Sequence, residues 1–378
     1  IIALNSQSVR FLLNGEPVSL QGVDPNQTVL QFLRDQAQLK GTKEGCAEGD
    51  CGACIVAMAQ PADDGSLHWR AINSCIRLVS SLDGKALLTV DGLRQADGRL
   101  HPVQQAMVDA DGSQCGFCTP GFVMSMIARF QNGQTATLTR AQVEDLLSGN
   151  LCRCTGYRPI IDAAMAMRQL PNASTAENQS ITKSLTELSA SRPDDSQSRT
   201  LRPTSIKALL QARSAHPEAQ LIAGCTDVGL WVTKQHRRFE RTLDVTFVSE
   251  LQAISRRPDG GLRIGAAALL TQAWDALVAD WPQLAVFAAR FASLPIRNSG
   301  TLGGNIANGS PIGDSMPVLI ALGTTLTVAS TRGERELQLD DFYQDRQRTV
   351  MDHDEVLLWI DVNAPVADNF VAAYKLSK

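Results

Sequence analysis

Eight of the nine cysteines in this 378-residue chain fall into two sets of four. Cys46, Cys51 and Cys54 are spaced C-x4-C-x2-C, with Cys75 as a fourth further on; Cys115 and Cys118 form C-x2-C, and Cys152 and Cys154 form C-x-C. Four thiolates are what a two-iron cluster takes, and the first spacing is that of plant-type sites. Three ligands so close together force the backbone to wrap. Gly45, Gly49 and Gly52 give it the dihedral freedom to do so and let amides approach the sulfurs. The second set has Gly116-Phe117 inside one pair and Arg153 inside the other. C-x2-C also serves four-thiolate zinc, so zinc stays open for that set on spacing alone, although C-x-C is less usual for structural zinc. Two clusters on one chain imply one-electron transfers along a line.

These thiols have to be free. Nine cysteines among 378 residues are too sparse for a disulfide-stapled secreted scaffold, and they cluster in Gly-rich loops. No apolar run approaches the ~20 residues that span a bilayer, and Ile1 to Leu4 is too short for a signal-peptide core. A cytoplasmic setting with reduced thiols is expected. A net charge of −4 and a pI near 5.8 speak against a nucleic-acid partner. At roughly 100–200 residues per domain, the length suggests two to three domains. Ile1 in place of an initiator Met suggests that residues precede it.

The elements that must position the cysteines follow from periodicity. Residues 9–20 read as strand, Asn14-Gly15 turn, strand. Thr28 is placed to cap a helix carrying Val29, Leu30, Phe32 and Leu33. Ile55 to Met58 and Ala86 to Val90 read as strands, so residues 1–90 form a small sheet, a crossing helix and a cysteine loop. Residues 91–170 turn helical: Phe122, Val123, Met126, Ile127 and Phe130 form one apolar stripe, Val143, Leu146 and Leu147 a second, and Ile160, Ala164 and Met167 a third. The cysteine pairs then lie at helix ends. Residues 171–200 hold eleven Ser or Thr and no aromatic, which predicts a flexible linker. From Leu201 onward strands (Gln220 to Ala223, Leu262 to Gly265, Leu326 to Ala329) mix with helices (Trp274 to Val278, Val318 to Leu322).

Two Gly-rich turns follow strands in this last part: Leu221-Ile222-Ala223-Gly224-Cys225-Thr226-Asp227-Val228-Gly229 and Gly300-Thr301-Leu302-Gly303-Gly304-Asn305-Ile306-Ala307-Asn308-Gly309. Open amides there could cradle a pyrophosphate, with Thr and Asn adding donors. Neither turn matches G-x-G-x-x-G or a P-loop. On the residues alone, a plain tight turn is the better reading for each. The five histidines share no metal spacing and read as surface or capping residues; Asp194-Asp195 and Arg237-Arg238 read as solvated charge.

Three stretches resemble the xanthine dehydrogenase / aldehyde oxidase family of molybdenum hydroxylases: Lys43 to Cys54, Gln114 to Phe122, and Gly149 to Pro159. The resemblance covers nearly all of residues 8–378. It implies an α+β multidomain chain: a β-grasp, plant-type [2Fe-2S] ferredoxin-like domain (1–90), a four-helix [2Fe-2S] domain (91–170), the linker (171–200), and an FAD-binding domain of the vanillyl-alcohol-oxidase type (201–378) that stops short of its C-terminal subdomain. By the same resemblance Leu221 to Gly229 is the first pyrophosphate loop and Thr301 to Asn305 the second. Phe291 lies near the isoalloxazine ring, and Asp314, Leu357 and Lys375 are further flavin contacts. For Phe291 and Leu357 core packing competes with that reading, and for Asp314 and Lys375 a solvated charge does. Cys225 stands where the family carries Gly, Asn or Ala, and reads as a small substitute, not a ligand. The chain would itself hold no catalytic residue. It would take electrons from a molybdopterin-binding large subunit that oxidises hypoxanthine or xanthine, and pass them to NAD or dioxygen within a hetero-oligomer of α2β2 type. A hydroxylase for aldehydes or other N-heterocycles, and a non-enzymatic redox sensor, are the alternatives.

Overall fold

The computed structural model describes residues 8–62, 65–95, 97–133, 138–170, 175–190, 198–345, 347–366 and 370–376. It separates into two compact units, the first being residues 1–198 with 228–238 and 293–298, the second residues 199–227, 239–292 and 299–378.

The first unit begins with a hairpin of β1 (Ser8–Leu13) and β2 (Glu16–Gln21), registered Leu13 against Glu16 around the Asn14-Gly15 turn. Asn14 and Gly15 both take positive φ, at 52° and 89°, as a tight hairpin turn of this kind requires. Thr28 caps α1 (Val29–Gln31), its hydroxyl accepting from the Gln31 amide while the Gln31 side chain accepts from the Thr28 amide. A π-helical turn, Phe32–Gln36, continues it. Strands β3 (Ile55–Pro61), β4 (Leu67–Asn73) and β5 (Ala86–Leu88) complete a five-stranded sheet in the order β2-β1-β5-β3-β4. The run Ile55-Val56-Ala57-Met58-Ala59 is apolar throughout because β3 is covered on both faces. Val56 and Met58 join Phe11, Val29, Phe32 and Leu33 on one face, and Ile55, Ala57 and Ala59 join Trp69, Phe122 and Met126 on the other.

Four helices form that second layer: α2 (Pro102–Asp109), α3 (Thr119–Gln131), α4 (Arg140–Leu146) and α5 (Arg158–Ala166). Helix α3 is buried almost all round, which explains its density of Phe, Val, Ile and Met. His101 caps α2 by accepting from the Val103 amide at 3.2 Å.

The predicted linker needs correction. Thr175–Ala190 is helix α6, with Leu185 fully buried and Ile181 and Leu188 packed on the same core. The Trp69 indole donates to Asn178 Oδ1 at 3.1 Å, and the Asn178 amide donates to the Gln131 carbonyl at 3.1 Å. Composition hid a real stripe. Ile181, Leu185 and Leu188 stand at i, i+4 and i+7 among Ser and Thr, of which Thr182 and Thr186 hydrogen-bond back along the helix. Residues 171–174 and 191–197, including Asp194-Asp195, lie outside the described residues.

The second unit carries two sheets. One is parallel, β6 (Thr200–Leu201), β8 (Thr242–Asp244) and β7 (Gln220–Ile222) in that order across it. The other is antiparallel, in the order β12-β11-β15-β10-β9, formed by β9 (Ile254–Arg256), β10 (Leu262–Gly265), β11 (Thr325–Ser330), β12 (Gly333–Gln338) and β15 (Val356–Val362). A short ribbon of β13 (Tyr343–Asp345) and β14 (Arg348–Thr349) precedes β15. The predicted helices are present as Leu270–Asp280 and Ser315–Ala321. Among the described residues no helix is long and apolar enough to cross a membrane.

Candidate metal centres and flavin loops

The first cysteine set sits where the loop before β3 wraps back on itself. Ala47, Gly49 and Gly52 take positive φ, 57°, 85° and 72°. That wrap aims the Glu48 and Cys51 amides at Cys46 Sγ, each at 3.4 Å. The Asn73 side-chain amide lies 3.9 Å from Cys54 Sγ. Cys54 and Cys75 are buried with Leu30 and Ile76, and Leu230 and Ile296 close over them. All eight cysteines of the two sets are free thiols.

Electrostatics favour a cation among these sulfurs. The Cys46 thiol is pulled down to about 3, first by its hydrogen bond with Cys75 and then by the two amides. Cys54 is lowered too, again chiefly by Cys75. Cys75 is pushed up by Cys46 and Cys54, and Cys51 is pushed up by burial. Four thiolates cannot all hold charge at this separation without positive charge between them, which ferric iron would supply. Among the described residues no three His, Cys, Asp or Glu side chains converge as a single-ion site. A two-iron cluster asks for a different arrangement, with the four thiolates shared between two irons.

The second set is arranged differently. Cys118 is the N-cap of α3, while Cys152 and Cys154 precede α5. Cys115 and Cys154 are exposed. Cys115 is lowered, first by the Phe117 amide, and Cys154 is raised by Cys115. Burial pushes Cys118 up to about 12, with Cys152 adding to it. Cys152 comes down in spite of burial, because Thr155 bonds to it, hydroxyl to Sγ at 3.1 Å. The four line an open cleft of about 430 Å³ together with Phe117, Leu151, Arg153 and Tyr157.

The two cysteine loops touch. The Leu151 amide donates to the Cys51 carbonyl at 3.0 Å. A Cβ on Gly52 would lie 2.3 Å from the Gly149 carbonyl, and one on Gly121 would lie 2.1 Å from the Gly52 carbonyl. Ser125 Oγ donates to Asn150 Oδ1 at 2.8 Å, which holds Asn150 beside Gly52. Sequence reasoning passed over Asn150, Ser125, Asn73 and Thr155. Asn150 and Thr155 flank the Cys-x-Cys and carried a positional hint; Ser125 and Asn73 carried none.

In the second unit the two Gly-rich loops lie back to back. A Cβ on Gly224 would sit 1.8 Å from the Ser299 carbonyl, so only glycine fits. Burial raises the Asp227 carboxyl above its usual range against a hydrogen bond from Asn308. Cys225 is buried with φ +62°, and its Sγ is 3.7 Å from the Ala223 carbonyl. The left-handed backbone explains why Gly or Asn would be at home there. Val228 and Gly229, the end of the first loop, are counted with the first unit, where a Cβ on Gly229 would lie 2.2 Å from the Ile76 carbonyl.

The second loop spends its amides on hydrogen bonds within its own unit. The Leu302 and Gly303 amides donate to Ala268 and Ala266, Gly304 donates to Thr301 Oγ1, and Asn305 donates to the Thr301 carbonyl, all at 3.0 Å. These four amides are therefore engaged within the fold. The glycines serve close packing instead: a Cβ on Gly303 would be 2.5 Å from the Ala266 carbonyl. Side chains such as Thr301 and Asn305 are what this loop has left to offer a ligand, and Asn305 already accepts from the Ser315 hydroxyl. Phe291 packs on Trp274 with ring centroids 5.1 Å apart, and Leu357 is buried in the same core. Asp314 and Lys375 pair with each other at 2.6 Å. The first loop's close approach and polar residues fit a dinucleotide phosphate; the second would have only its side chains to contribute.

Comparison with known proteins gives each part a counterpart. Residues 11–80 match the 2Fe-2S iron-sulfur cluster binding domain, 89–165 the [2Fe-2S] binding domain, and 196–365 the FAD binding domain in molybdopterin dehydrogenase. The chain is thus an iron–sulfur flavoprotein, with two [2Fe-2S]-binding domains ahead of an FAD-binding domain. It is 35% identical over 429 residues to the xanthine dehydrogenase of Drosophila subobscura, covering 97% of this chain and 32% of that one. To the xanthine dehydrogenase/oxidase of Gallus gallus it is 31% identical over 441 residues, covering 97% and 32%. A carbon monoxide dehydrogenase structure from Hydrogenophaga pseudoflava is 26% identical, with a TM-score of 0.42, over 44% of this chain and 59% of that one. The chain spans about a third of the length of the curated relatives it matches. Over nearly its whole length the chain is similar to xanthine dehydrogenases, and its three domains follow one another as iron–sulfur, iron–sulfur and FAD-binding.

Proposed function

We propose that this chain is the electron relay of a xanthine-oxidising molybdenum hydroxylase. It would receive electrons from a molybdopterin centre on a partner subunit oxidising hypoxanthine or xanthine, and deliver them to NAD or dioxygen. When bound, the clusters pass single electrons and the flavin holds two, which joins the two-electron reactions at either end. Cys115, Cys118, Cys152 and Cys154 would ligate the cluster that receives them, and Cys46, Cys51, Cys54 and Cys75 the next. The Leu221–Gly229 and Thr301–Asn305 loops, with Phe291, Asp314, Leu357 and Lys375, would hold FAD.

One observation carries the reading. The Leu151 amide donates to the Cys51 carbonyl at 3.0 Å, and Leu151 immediately precedes Cys152. Two ligands, one from each set, are thus joined by a few covalent bonds and one hydrogen bond. The open cleft at the second set, with Phe117 and Leu151 about half exposed at 48% and 57%, favours that end as the one facing a partner.

The test is Cys118→Ser in the complex with its native partner. Flavin content should be unchanged, while flavin reduction by substrate should fall by at least about a hundredfold, equivalent to ~2.7 kcal/mol on the barrier. Flavin reduction at the normal rate would remove the relay.

A further inference from the structure

The first unit contains a segment whose part in the relay no cysteine motif reveals. Helix Val228–Thr233 and the residues after it fall inside the stretch matched by the FAD-binding domain, yet they pack on the first cysteine loop. Thr233 Oγ1 lies 2.9 Å from the Ala47 carbonyl and 3.0 Å from that of Gly229. Lys234 Nζ donates to the Cys46 carbonyl at 2.6 Å. Its ammonium also lies 3.2 Å from Glu48 Oε2, and the Glu48 amide donates to Cys46 Sγ at 3.4 Å. Beyond it, Arg237 stacks on Trp231 at 5.1 Å and Arg238 pairs with Asp24, so the segment is anchored on both sides of Lys234.

An ion pair with side chains 44% and 41% exposed adds little to folding. The same charges matter more to an electron arriving nearby. Reduction adds a negative charge to the cluster and its thiolates, and Lys234 and Glu48 both bond to atoms of the ligand Cys46. A positive charge there favours the reduced form, and a negative charge the oxidised form.

Resting on the relay reading, we propose that the Lys234–Glu48 pair sets the reduction potential of the cluster held by Cys46, Cys51, Cys54 and Cys75. Lys234 is a positioning residue that raises the potential and holds the Cys46 carbonyl; Glu48 offsets its charge. Asp50, beside Cys51, adds a further acidic group to the loop and is unchanged in the variants below.

The experiment is a redox titration of the full complex followed by electron paramagnetic resonance, with iron content measured on each sample. Lys234→Met leaves Glu48 unopposed and should lower the potential. Glu48→Gln leaves Lys234 unopposed and should raise it. Each single change should move the reduced-to-oxidised ratio at a fixed poise about tenfold, which is about 59 mV for one electron. The double variant should return towards the wild type, and Lys234→Arg should remain near it. The second cluster's signal should stay fixed in all of them. Full iron with unmoved potentials, or shifts of the same sign in Lys234→Met and Glu48→Gln, overturns the proposal. A wild-type complex with only one paramagnetic species would instead sink the relay reading. If Lys234→Met loads iron poorly, Glu48→Gln still decides.

Discussion

The two cysteine sets use the same ligand chemistry in opposite surroundings. In the first, Cys54 and Cys75 are each 2% exposed, amides from Glu48 and Cys51 reach Cys46, and Asn73 lies near Cys54. In the second, Cys115 and Cys154 are exposed, and the cleft they line is open. Cluster potentials follow sulfur hydrogen bonds and solvent exposure, so the two surroundings give two different poises from identical ligands. In the proposed relay the enclosed set would be tuned by its own chain, and the open set would leave a face for a partner to complete.

Glycine substitution is the strongest way to test that contrast. Gly52 has φ +72° and would place a Cβ 2.3 Å from the Gly149 carbonyl, with Asn150 also too close. Gly52→Ala should therefore cost about 3 kcal/mol or more, combining overpacking with left-handed strain. Both loops should be disturbed, because the residue sits where they meet. Gly116 in the open set has φ +81° and nothing within 4 Å of its Cβ position. Gly116→Ala should cost only the strain, ~1–2 kcal/mol. Thermal melting with iron per chain and the two paramagnetic signals would read both. Equal losses for the two variants would erase the distinction between enclosed and open sets.

How much of this could be read from residues alone depended on how local the physics was. The Asn14-Gly15 turn, the Thr28 cap and the α3 stripe each lie within a dozen residues, and each is present as read. Helix α6 was missed because Ser and Thr dominate its composition, although Ile181, Leu185 and Leu188 keep helical spacing. The contact between Gly52 and Gly149 joins residues 97 positions apart, and no sequence period records it. For the second Gly-rich loop the residues alone favoured a tight turn, and only the family resemblance made it a phosphate cradle. What the sequence could not show was that the Leu302, Gly303 and Gly304 amides close onto Ala268, Ala266 and Thr301. Lys234 had no local mark at all; its partners, Cys46 and Glu48, lie on a distant loop.

His101 probes the helical side of the first unit. Burial lowers its imidazole to about 4, and in the neutral form its Nδ1 accepts from the Val103 amide while the ring meets Phe130 edge to face at 5.0 Å. The folded value lies below the unfolded one, so the native state binds the proton more weakly. Stability is then full above pH ~6.5 and falls as pH drops from there towards about 4. His101→Asn, which keeps a capping acceptor without the titration, should flatten that acid limb. His101→Ala should cost ~1 kcal/mol at neutral pH through loss of the cap. Melting curves across pH 4–7, compared with wild type, would check both. An unchanged acid limb in His101→Asn would show that His101 is not its source.

Cys225 carries the smallest expected effect and extends the comparison to the second unit. It sits at φ +62°, where the cysteine loops mostly use glycine, and its neighbour Gly224 is backed against Ser299. Cys225→Gly relieves left-handed strain of about 1–2 kcal/mol. Against that stand glycine's unfolded-state freedom, about 0.5–1 kcal/mol, and the loss of a small buried side chain. The net change should stay within about 1 kcal/mol of the wild type, with flavin content unaltered. Cys225→Val instead places a β-branched residue in the left-handed region and should cost ~2–3 kcal/mol. Thermal melting and flavin per chain would rank the two. A Cys225→Gly variant as unstable as Gly52→Ala would mean that the thiol has a packing role the backbone argument does not capture, and that Cys225 is more than a small residue in a glycine's place.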